Sequence, residues 1–148
     1  MYGFFYVEED ITTGYVKGAN AERELIKLFF GKGFAVTRAA GSGVSSFPCP
    51  DIVALRPGKL LAIECKAWNQ NYLSVAVEQM RELEKWSKMA GSDIFIAWKL
   101  PRKGWFFLQP RHFKKNNKFF VISKKKALKQ GLPIEVVSGE QAILKVKK

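Results

Sequence analysis

Cysteine and histidine are scarce in this chain of 148 residues, which contains two cysteines and one histidine. Two cysteines are too few for the disulfide scaffold of a small secreted protein, and His112 alone does not make a zinc site. No apolar run approaches the ~20 residues that cross a bilayer, and we find no charged leader followed by an apolar core. We therefore expect a soluble, cytoplasmic protein.

Acidic residues are nearly absent from the last third of the chain. Residues 1–98 contain 11 Lys/Arg and 11 Asp/Glu, whereas residues 99–148 contain 14 Lys/Arg and only two acids. The net charge of +12 therefore arises in this lysine-rich C-terminal part. A one-sided basic field concentrates polyanions, which favours nucleic acid as the partner. A basic surface that only maintains solubility, or that meets anionic lipid, is the alternative.

The length and composition indicate one compact domain. A chain of 148 residues with 47% hydrophobic content can bury about two thirds of the surface that its unfolded form exposes. Residues 1–16 show no clear period, and we assign them to an N-terminal arm or a short edge strand. Residues 17–148 are assigned to the domain.

Periodicity predicts an α/β domain with a central mixed sheet flanked by helices. One predicted helix starts at Ala19 and ends at Gly31 or Gly33. Ser74 is predicted to cap a second helix, which Gly91 ends. The other predicted elements are strands at 34–39, 52–55, 60–63, 94–98, 105–108 and 119–122 and a short helix at 123–130.

Two apolar runs separated by residues 56–59, with the sequence Arg-Pro-Gly-Lys, predict a β-hairpin. If these four residues form the loop, Leu55 faces Leu60, and the same register places Asp51 opposite Glu64. Directly opposed side chains lie on one face with Cβ atoms roughly 4.5–5.5 Å apart. Two like charges at that distance are unfavourable unless a cation lies between them, so the pair indicates a metal site.

Lys66 follows Glu64 by two residues and therefore projects from the same face, while Cys65 points to the other side. In metal-assisted phosphodiester hydrolysis, a cation polarises the phosphate and activates a water, and a lysine orients that water or offsets developing charge. A solvated Asp-Glu-Lys cluster at a sheet edge is the alternative. Against it, Glu64 interrupts an apolar run, where an unpaired charge is costly.

Glu22 lies on the apolar stripe of the first predicted helix, together with Leu25, Ile26 and Phe29. Its carboxylate therefore points toward whatever the helix packs against, which suggests a third contact to a metal or water. A glutamate at the stripe edge that pairs with a basic residue explains the pattern equally well.

Pro50-Asp51, then twelve residues, then Glu64-Cys65-Lys66 match the signature of the PD-D/E-x-K nucleases. The surrounding sequence resembles the archaeal-type Holliday-junction resolvases from about Lys17 to about Leu108. The segments that carry this resemblance are, in chain order, Lys17–Leu25, Gly33–Arg38, Ala40–Gly43 and Leu100–Phe106.

The resemblance implies a restriction-endonuclease-like fold and a magnesium-dependent endonuclease, with manganese as a substitute, that makes paired incisions in four-way DNA junctions. The implied metal ligands are Glu22, Asp51, Glu64 and the backbone carbonyl of Cys65. Lys66 would act at the water or phosphate, and Ser42 would be catalytic and approach the scissile strand. The implied phosphate contacts are Arg23, Arg38, Arg102 and Lys103.

The family also implies a homodimer that presents two active sites to branched DNA, with no membrane partner and no small-molecule substrate. Residues before Lys17 and the lysine-rich tail depart from the family pattern. A small domain need not bury all its aromatic side chains, so a cluster after Lys103 is a candidate dimer interface. These aromatic residues are Trp105, Phe106, Phe107, Phe119 and Phe120.

Lys124, Lys125 and Lys126 fall in the first turn of a predicted helix, where cations oppose the helix dipole by a few tenths of a kcal/mol each. A DNA phosphate would offset that penalty, so we expect these lysines to bind DNA.

Two other functions stay open. A related nuclease that acts on duplex or flapped DNA in repair or restriction would use the same catalytic residues. A basic module that binds nucleic acid without cutting it would explain the charged tail, although binding alone needs no juxtaposed carboxylates.

Overall fold

The computed structural model describes residues 3–39 and 47–140, and their side chains from residue 17 onwards. Its helices are α1 (Gly3–Gly31), α2 (Val77–Ala90), α3 (Lys124–Gln130) and α4 (Ile134–Val137). Its strands are β1 (Ala35–Arg38), β2 (Ile52–Arg56), β3 (Lys59–Ala67), β4 (Tyr72–Ala76), β5 (Asp93–Leu100), β6 (Gly104–Leu108), β7 (Lys114–Lys115) and β8 (Phe119–Ser123). A short 3-10 turn covers Pro110–His112.

The central sheet has five strands in the order β1-β2-β3-β5-β6. Strands β3 and β5 run parallel, and the other neighbours run antiparallel, so the sheet is mixed as the periodicity predicts. The parallel pair is possible because α2 crosses over between β3 and β5. A second antiparallel sheet of three strands, in the order β4-β8-β7, was not expected from the sequence.

The hairpin of β2 and β3 has the predicted register. Leu55 pairs with Leu60, Arg56 pairs with Lys59, and only Pro57 and Gly58 lie outside the ladder. Gly58 has a φ of 79°, which glycine adopts without the steric cost that a Cβ imposes. This local turn chemistry fixes which residues of the two strands oppose each other.

Both faces of the central sheet are covered by apolar clusters, so the buried positions of its inner strands are apolar apart from Glu64. Alternate residues of β3 and β5 enter the two clusters: Ile63 and Ala97 contribute to one, and Ile96 and Trp98 to the other. The first cluster includes Leu25 and Phe29 of α1. The second is completed by α2 and the small sheet, through Leu73, Val75, Met80, Leu83 and Ile122.

Side-chain contacts from Glu24 and Arg56 tie the covering helices to the central sheet. The Glu24 carboxylate of α1 accepts hydrogen bonds from Lys99 of β5 and from Trp105 Nε1 of β6, the latter at 3.2 Å. Arg56 of β2 donates to the carbonyl of Ser138, just after α4, and to that of Lys32 at 3.3 Å. Helix α1 therefore has a fixed position beside β3.

Two sequence expectations are wrong. Helix α1 begins at Gly3 and not at the predicted Ala19, which excludes the edge-strand alternative for residues 1–16, because extending an existing helix needs no new nucleus. The assignment of these residues to an N-terminal arm stays a prediction. Ser74 lies in β4 opposite Val121 and does not cap α2, which begins at Val77 after Ala76. The alternation of buried Leu73 and Val75 with outward Ser74 is a strand period that we had interpreted as the start of a helix.

Other predicted boundaries are confirmed. Helix α1 ends at Gly31, and α2 ends before Gly91, which has a φ of 71°. Helix α3 begins at Lys124, one residue after the predicted start, and Ser123 caps it. Helix α1 crosses the predicted domain boundary at residue 17, and that division stays a prediction. Among the described residues, no helix combines the length and apolar character of a membrane-spanning segment.

Candidate active site

Asp51 and Glu64 lie side by side at the start of β2 and within β3. Ile52 pairs with Ile63, so the next position along the ladder opposes Asp51 to Glu64, and the two carboxyl groups interact. The Asp51 carboxylate accepts a hydrogen bond from the backbone N–H of Cys65 at 2.9 Å, which fixes its orientation. The juxtaposition inferred from the hairpin register is therefore present.

Glu64 is almost entirely buried, with 6% of its surface exposed. Burial penalises its charged form, and the neighbouring Asp51 charge adds to this, so the pKa of Glu64 rises to about 8. Lys66 opposes the shift but does not cancel it. A carboxyl group with such a raised pKa needs a cation or a proton at neutral pH.

Lys66 and Glu64 are joined by Gln79 from the first turn of α2. Gln79 Nε2 donates to Glu64 Oε2 at 3.1 Å, and Lys66 Nζ donates to Gln79 Oε1 at 3.4 Å. Sequence reasoning missed Gln79. No signal in the chain could have found it, because its role depends on α2 packing beside β3.

The Cys65 side chain points away from the acid pair, as its position between Glu64 and Lys66 predicts. Burial raises the pKa of its thiol far above the ordinary range, with smaller contributions from Asp51 and Glu22. The thiol is therefore not a nucleophile at neutral pH. The structure does not test a role of its backbone carbonyl as a metal ligand.

Glu22 lies on α1 and pairs with Arg38 of β1, with Oε2 2.5 Å from Nε. Its charge acts on the Cys65 side chain, on the face of β3 that points away from Glu64. In the described ranges, no group of three His, Cys, Asp or Glu side chains is placed to hold a metal. The structure thus brings together Asp51, Glu64 and Lys66 but leaves Glu22 with Arg38.

The acid pair fits a hard divalent cation as a pair of oxygen ligands. Two carboxylates whose mutual repulsion raises a pKa are stabilised when a cation lies between them, and Mg²⁺ is commonly bound by one or two carboxylates that leave positions for water and phosphate. The other predicted ligands, Glu22 and the Cys65 carbonyl, are not needed for this fit.

The predicted DNA contacts lie at scattered positions. Arg23 is exposed on α1, and its Nη1 donates to Asn20 Oδ1 at 3.3 Å. Arg102 and Lys103 are exposed in the turn between β5 and β6, where Arg102 has a φ of 62°. Lys124, Lys125 and Lys126 form the first turn of α3, as predicted. Ser42 lies outside the described residues.

The aromatic cluster predicted as a dimer interface divides between core and surface. Phe107 is fully buried and packs edge-on against Phe29 and Phe95, so it cannot form an interface. Phe119 is 42% exposed. The remaining members, Trp105, Phe106 and Phe120, are half-buried.

Comparison with known proteins identifies related sequences over most of the chain. A family model described as archaeal Holliday junction resolvase (Hjc) matches residues 13–144. The crossover junction endodeoxyribonuclease Hjc of Archaeoglobus fulgidus is 38% identical over 124 residues, which cover 84% of this chain and 90% of that protein. Hjc of Methanocaldococcus jannaschii is 34% identical over 112 residues, which cover 75% and 79% respectively.

A solved structure supports the fold. The structure of Archaeoglobus fulgidus Hjc, a Holliday junction resolvase, matches with a TM-score of 0.77 at 36% sequence identity. The match covers 82% of this chain and 100% of that one. The mixed α/β architecture predicted from the sequence is therefore confirmed by both the structure of the chain and this neighbour.

Proposed function

The chain belongs to the archaeal Holliday junction resolvase (Hjc) family, and we propose that it cuts four-way DNA junctions by metal-dependent hydrolysis at the Asp51–Glu64 pair. The observation that carries this proposal is the pair of like-charged groups, half-buried Asp51 and buried Glu64, with Lys66 tethered beside it. A protein that only binds DNA has no need to bury a carboxyl group next to a second one, because the buried group loses its hydration.

Each residue of the site has a defined task in this proposal. Asp51, oriented by the Cys65 N–H, and Glu64, oriented by Gln79, would hold a magnesium ion, or manganese in its place. Bound there, the metal supplies Lewis-acid polarisation of the phosphate and a lowered pKa of a coordinated water. Lys66 carries a positive charge next to the carboxylates, where it can orient the attacking water or offset the negative charge of the transition state.

The exposed basic side chains would supply phosphate attraction. Arg23, Arg102 and Lys103 are exposed, and the lysines of α3 lie in a segment without acids. Arg102 keeps a backbone conformation that costs a side-chain-bearing residue about 1 kcal/mol or more. Backbone strain of this kind clusters at functional sites, which supports Arg102 as a phosphate contact.

The direct test is cleavage of labelled four-way, flapped and duplex DNA with magnesium, manganese or chelator. We expect junction cleavage only when a divalent metal is present, and none from Asp51→Asn. Asp93→Asn is the matched control, because Asp93 is an exposed aspartate at the start of β5. Full cleavage by Asp51→Asn, or cleavage in chelator, would remove the proposed site. Preference for duplex or flapped DNA would instead assign the chain a different substrate.

We also propose that two copies of the chain act together as a homodimer. Resolving a junction needs two related incisions, whereas the described side chains of one chain form one such acidic pair, Asp51 and Glu64. Two-fold pairing is the commonest way to present two matched sites. The exposed Phe119 remains available for such an interface. Sedimentation with and without junction DNA measures the assembly directly.

A further inference from the structure

The three-stranded sheet carries an open groove that has no part in the site described above. We call it the β7 groove. Its volume is about 430 Å³, and it is lined by Tyr72, Lys114, Lys115, Asn116, Val121, Ile122, Ser123 and Lys126. Three of these residues are lysines, and none is acidic.

The strand register explains why part of this lining faces solvent. Tyr72 pairs with Ser123, and Lys114 pairs with Val121, so these residues share the outer face of the small sheet. Lys115 pairs with Phe120, so it lies on the other face of β7, where its exposed side chain extends over the Phe120 ring. The other face buries Leu73, Val75 and Ile122 against the core. Tyr72 is 60% exposed although it is a large aromatic residue. The outer face is therefore polar and basic while the inner face anchors the sheet.

The charge of the groove is not compensated nearby. Residues 94–134 contain eleven Lys/Arg and not a single Asp or Glu. The ion pairs formed within the described ranges use Lys32, Arg38, Arg81 and Lys99, none of which lines the groove. Such an uncompensated field concentrates polyanions.

The groove has a fixed position relative to the acid pair, because the segments before and after β4 both lead to residues of the site. Before β4, the loop 68–71 begins two residues after Lys66. Lys124 holds this loop by two hydrogen bonds: its Nζ donates to Asn69 Oδ1 at 3.2 Å, and its backbone N–H donates to the Asn71 carbonyl at 2.7 Å. After β4, the chain enters α2, whose Gln79 contacts both Lys66 and Glu64.

We propose that the β7 groove binds the phosphodiester backbone of one arm of the branched DNA that is cut at the Asp51–Glu64 pair. The proposal rests on the proposed function, since it assigns the path of that substrate. Lys114, Lys115 and Lys126 bind phosphates, and Tyr72 makes a neutral contact with the same arm.

Salt dependence of junction binding in chelator tests the lysines without any cleavage step. The variant Lys114→Gln/Lys115→Gln should flatten the plot of log affinity against log salt by roughly 1.8, since each lost phosphate contact on duplex DNA is worth about 0.9. The control Lys85→Gln/Lys88→Gln removes the same charge from exposed positions on α2. It should leave the slope unchanged. Equal slopes for wild type and the groove variant, or equal losses in both variants, would overturn the proposal.

Two further measurements locate the contact. Tyr72→Ala should weaken junction binding several-fold without changing the salt slope, because a neutral contact releases no counterions. Shortening the arms stepwise should abolish the difference between wild type and the lysine variant once no arm reaches the groove. A difference that persists down to the shortest junction bound would show that the lysines act elsewhere, and the proposal would fail.

The two proposals fail in different ways. Suppose that wild type binds junctions, with weaker salt dependence in the groove variant, and yet does not cut them with magnesium or manganese. In that case the proposed function fails, and the proposal that the groove binds DNA stands. If cleavage depends on Asp51 but the groove variants bind normally, only the arm path is wrong. Circular dichroism melts of each variant confirm that the exposed substitutions leave the fold intact.

Discussion

At the scale of single residues, Glu64 is the clearest sign that the fold serves chemistry at a cost in stability. It occupies a position in β3 between buried Ile63 and the half-buried Cys65, where an apolar side chain would stabilise the core. Burial and Asp51 instead raise its pKa to about 8. The folded chain therefore holds a proton or a cation at this position more tightly than the unfolded chain does.

This shift predicts an unusual pH dependence of stability in chelator. The pKa of Glu64 is raised in the folded state above the ordinary value of 4.5, so its favourable contribution is fully present below pH 4.5 and is lost as the pH rises to about 8. Glu64→Gln should therefore melt at a higher temperature than wild type at pH 8, by several degrees, and by less at pH 5. In a domain of this size, about 1 kcal/mol moves Tm by ~2–4 °C.

Magnesium should reverse that order. A ligand that binds only the folded state raises its stability, and wild type holds both carboxylates whereas Glu64→Gln holds one. Thermal melts with chelator and with excess magnesium provide the comparison, with Asp93→Asn as a control for loss of one acid. If Glu64→Gln were less stable than wild type at pH 8 in chelator, the charged Glu64 carboxylate would not destabilise the folded state, and the prediction would be wrong.

Gln79 should matter for cleavage without contacting DNA. Its amide holds Glu64 and Lys66 together, so Gln79→Met, which keeps the shape but removes both hydrogen bonds, should lower the single-turnover cleavage rate by about tenfold or more. Junction affinity in chelator should stay within a few fold. Gln79→Glu should restore the contact with Lys66 but repel Glu64, and so should raise the magnesium concentration at half-maximal rate or lower the rate.

The control for this prediction is Gln109→Met, a substitution of the same kind at the 3-10 turn, remote from Glu64 in the sequence. It should cleave like wild type once differences in stability are allowed for. A Gln79→Met protein that cuts normally would mean that Lys66 and the acid pair keep their positions through backbone geometry alone.

At the scale of secondary structure elements, the sequence predicts the features that neighbouring residues determine. It does not predict those that depend on residues distant in the chain. The β2–β3 hairpin was predictable because Pro57 and Gly58 set its turn and register locally, and that register placed Asp51 beside Glu64. The small sheet was not predictable. Strand β4 pairs with β8, which follows some forty residues later in the chain, and this distant pairing overrides the local helix signal at Ser74.

The same contrast explains which site residues were found. Glu64 and Lys66 share a face of one strand, a relation that a period of two reveals. Glu22 was assigned correctly to a buried stripe, but periodicity cannot tell which side chain it will meet, and the structure pairs it with Arg38. Gln79 depends on the packing of α2 beside β3, which no local pattern encodes.

Helix α3 offers a test of which serine acts as a cap. The Ser123 side chain accepts a hydrogen bond from the Lys126 N–H at 3.1 Å, so Ser123→Ala should destabilise the protein by about 0.5–2 kcal/mol. Ser74→Ala is the matched control, because Ser74 lies in β4 and does not cap α2. Urea denaturation should show the larger loss for Ser123→Ala. The opposite order would support the sequence-based assignment of Ser74.

At the scale of the whole molecule, chemistry and charge are separated along the chain. The acid pair and Lys66 lie within residues 51–66, where the central hairpin fixes them, whereas the excess of positive charge lies in residues 99–148. Both parts meet at the small sheet, since β4 leads from Lys66 and pairs with β8 of the basic segment. One fold thus brings the proposed cutting site and the proposed polyanion-binding surface together.

The last prediction concerns assembly, because a single acid pair cuts one strand and resolution requires two. If two chains act on one junction, mixtures of wild type and Asp51→Asn should contain heterodimers with one working site. A cruciform in a supercoiled plasmid reports the difference, since it becomes linear only when both incisions occur within one binding event. Wild type should yield mainly linear product, and heterodimers should yield mainly nicked circles because the second strand stays intact.

A matched mixture of wild type and Asp93→Asn controls for dilution and should linearise the plasmid as wild type does. The expected yields follow from random pairing: equal amounts of the two chains give about half heterodimers and a quarter of each homodimer, by the two-fold symmetry of the assembly. Linear product should then fall well below half of the wild-type yield at equal total protein, as the inactive dimers also compete for junctions. A monomer in sedimentation with junction present, or a covalently fixed heterodimer that linearises the plasmid as wild type does, would exclude paired sites in one dimer. The two incisions would then come from successive, independent binding events, and the dimer would have no part in coupling them.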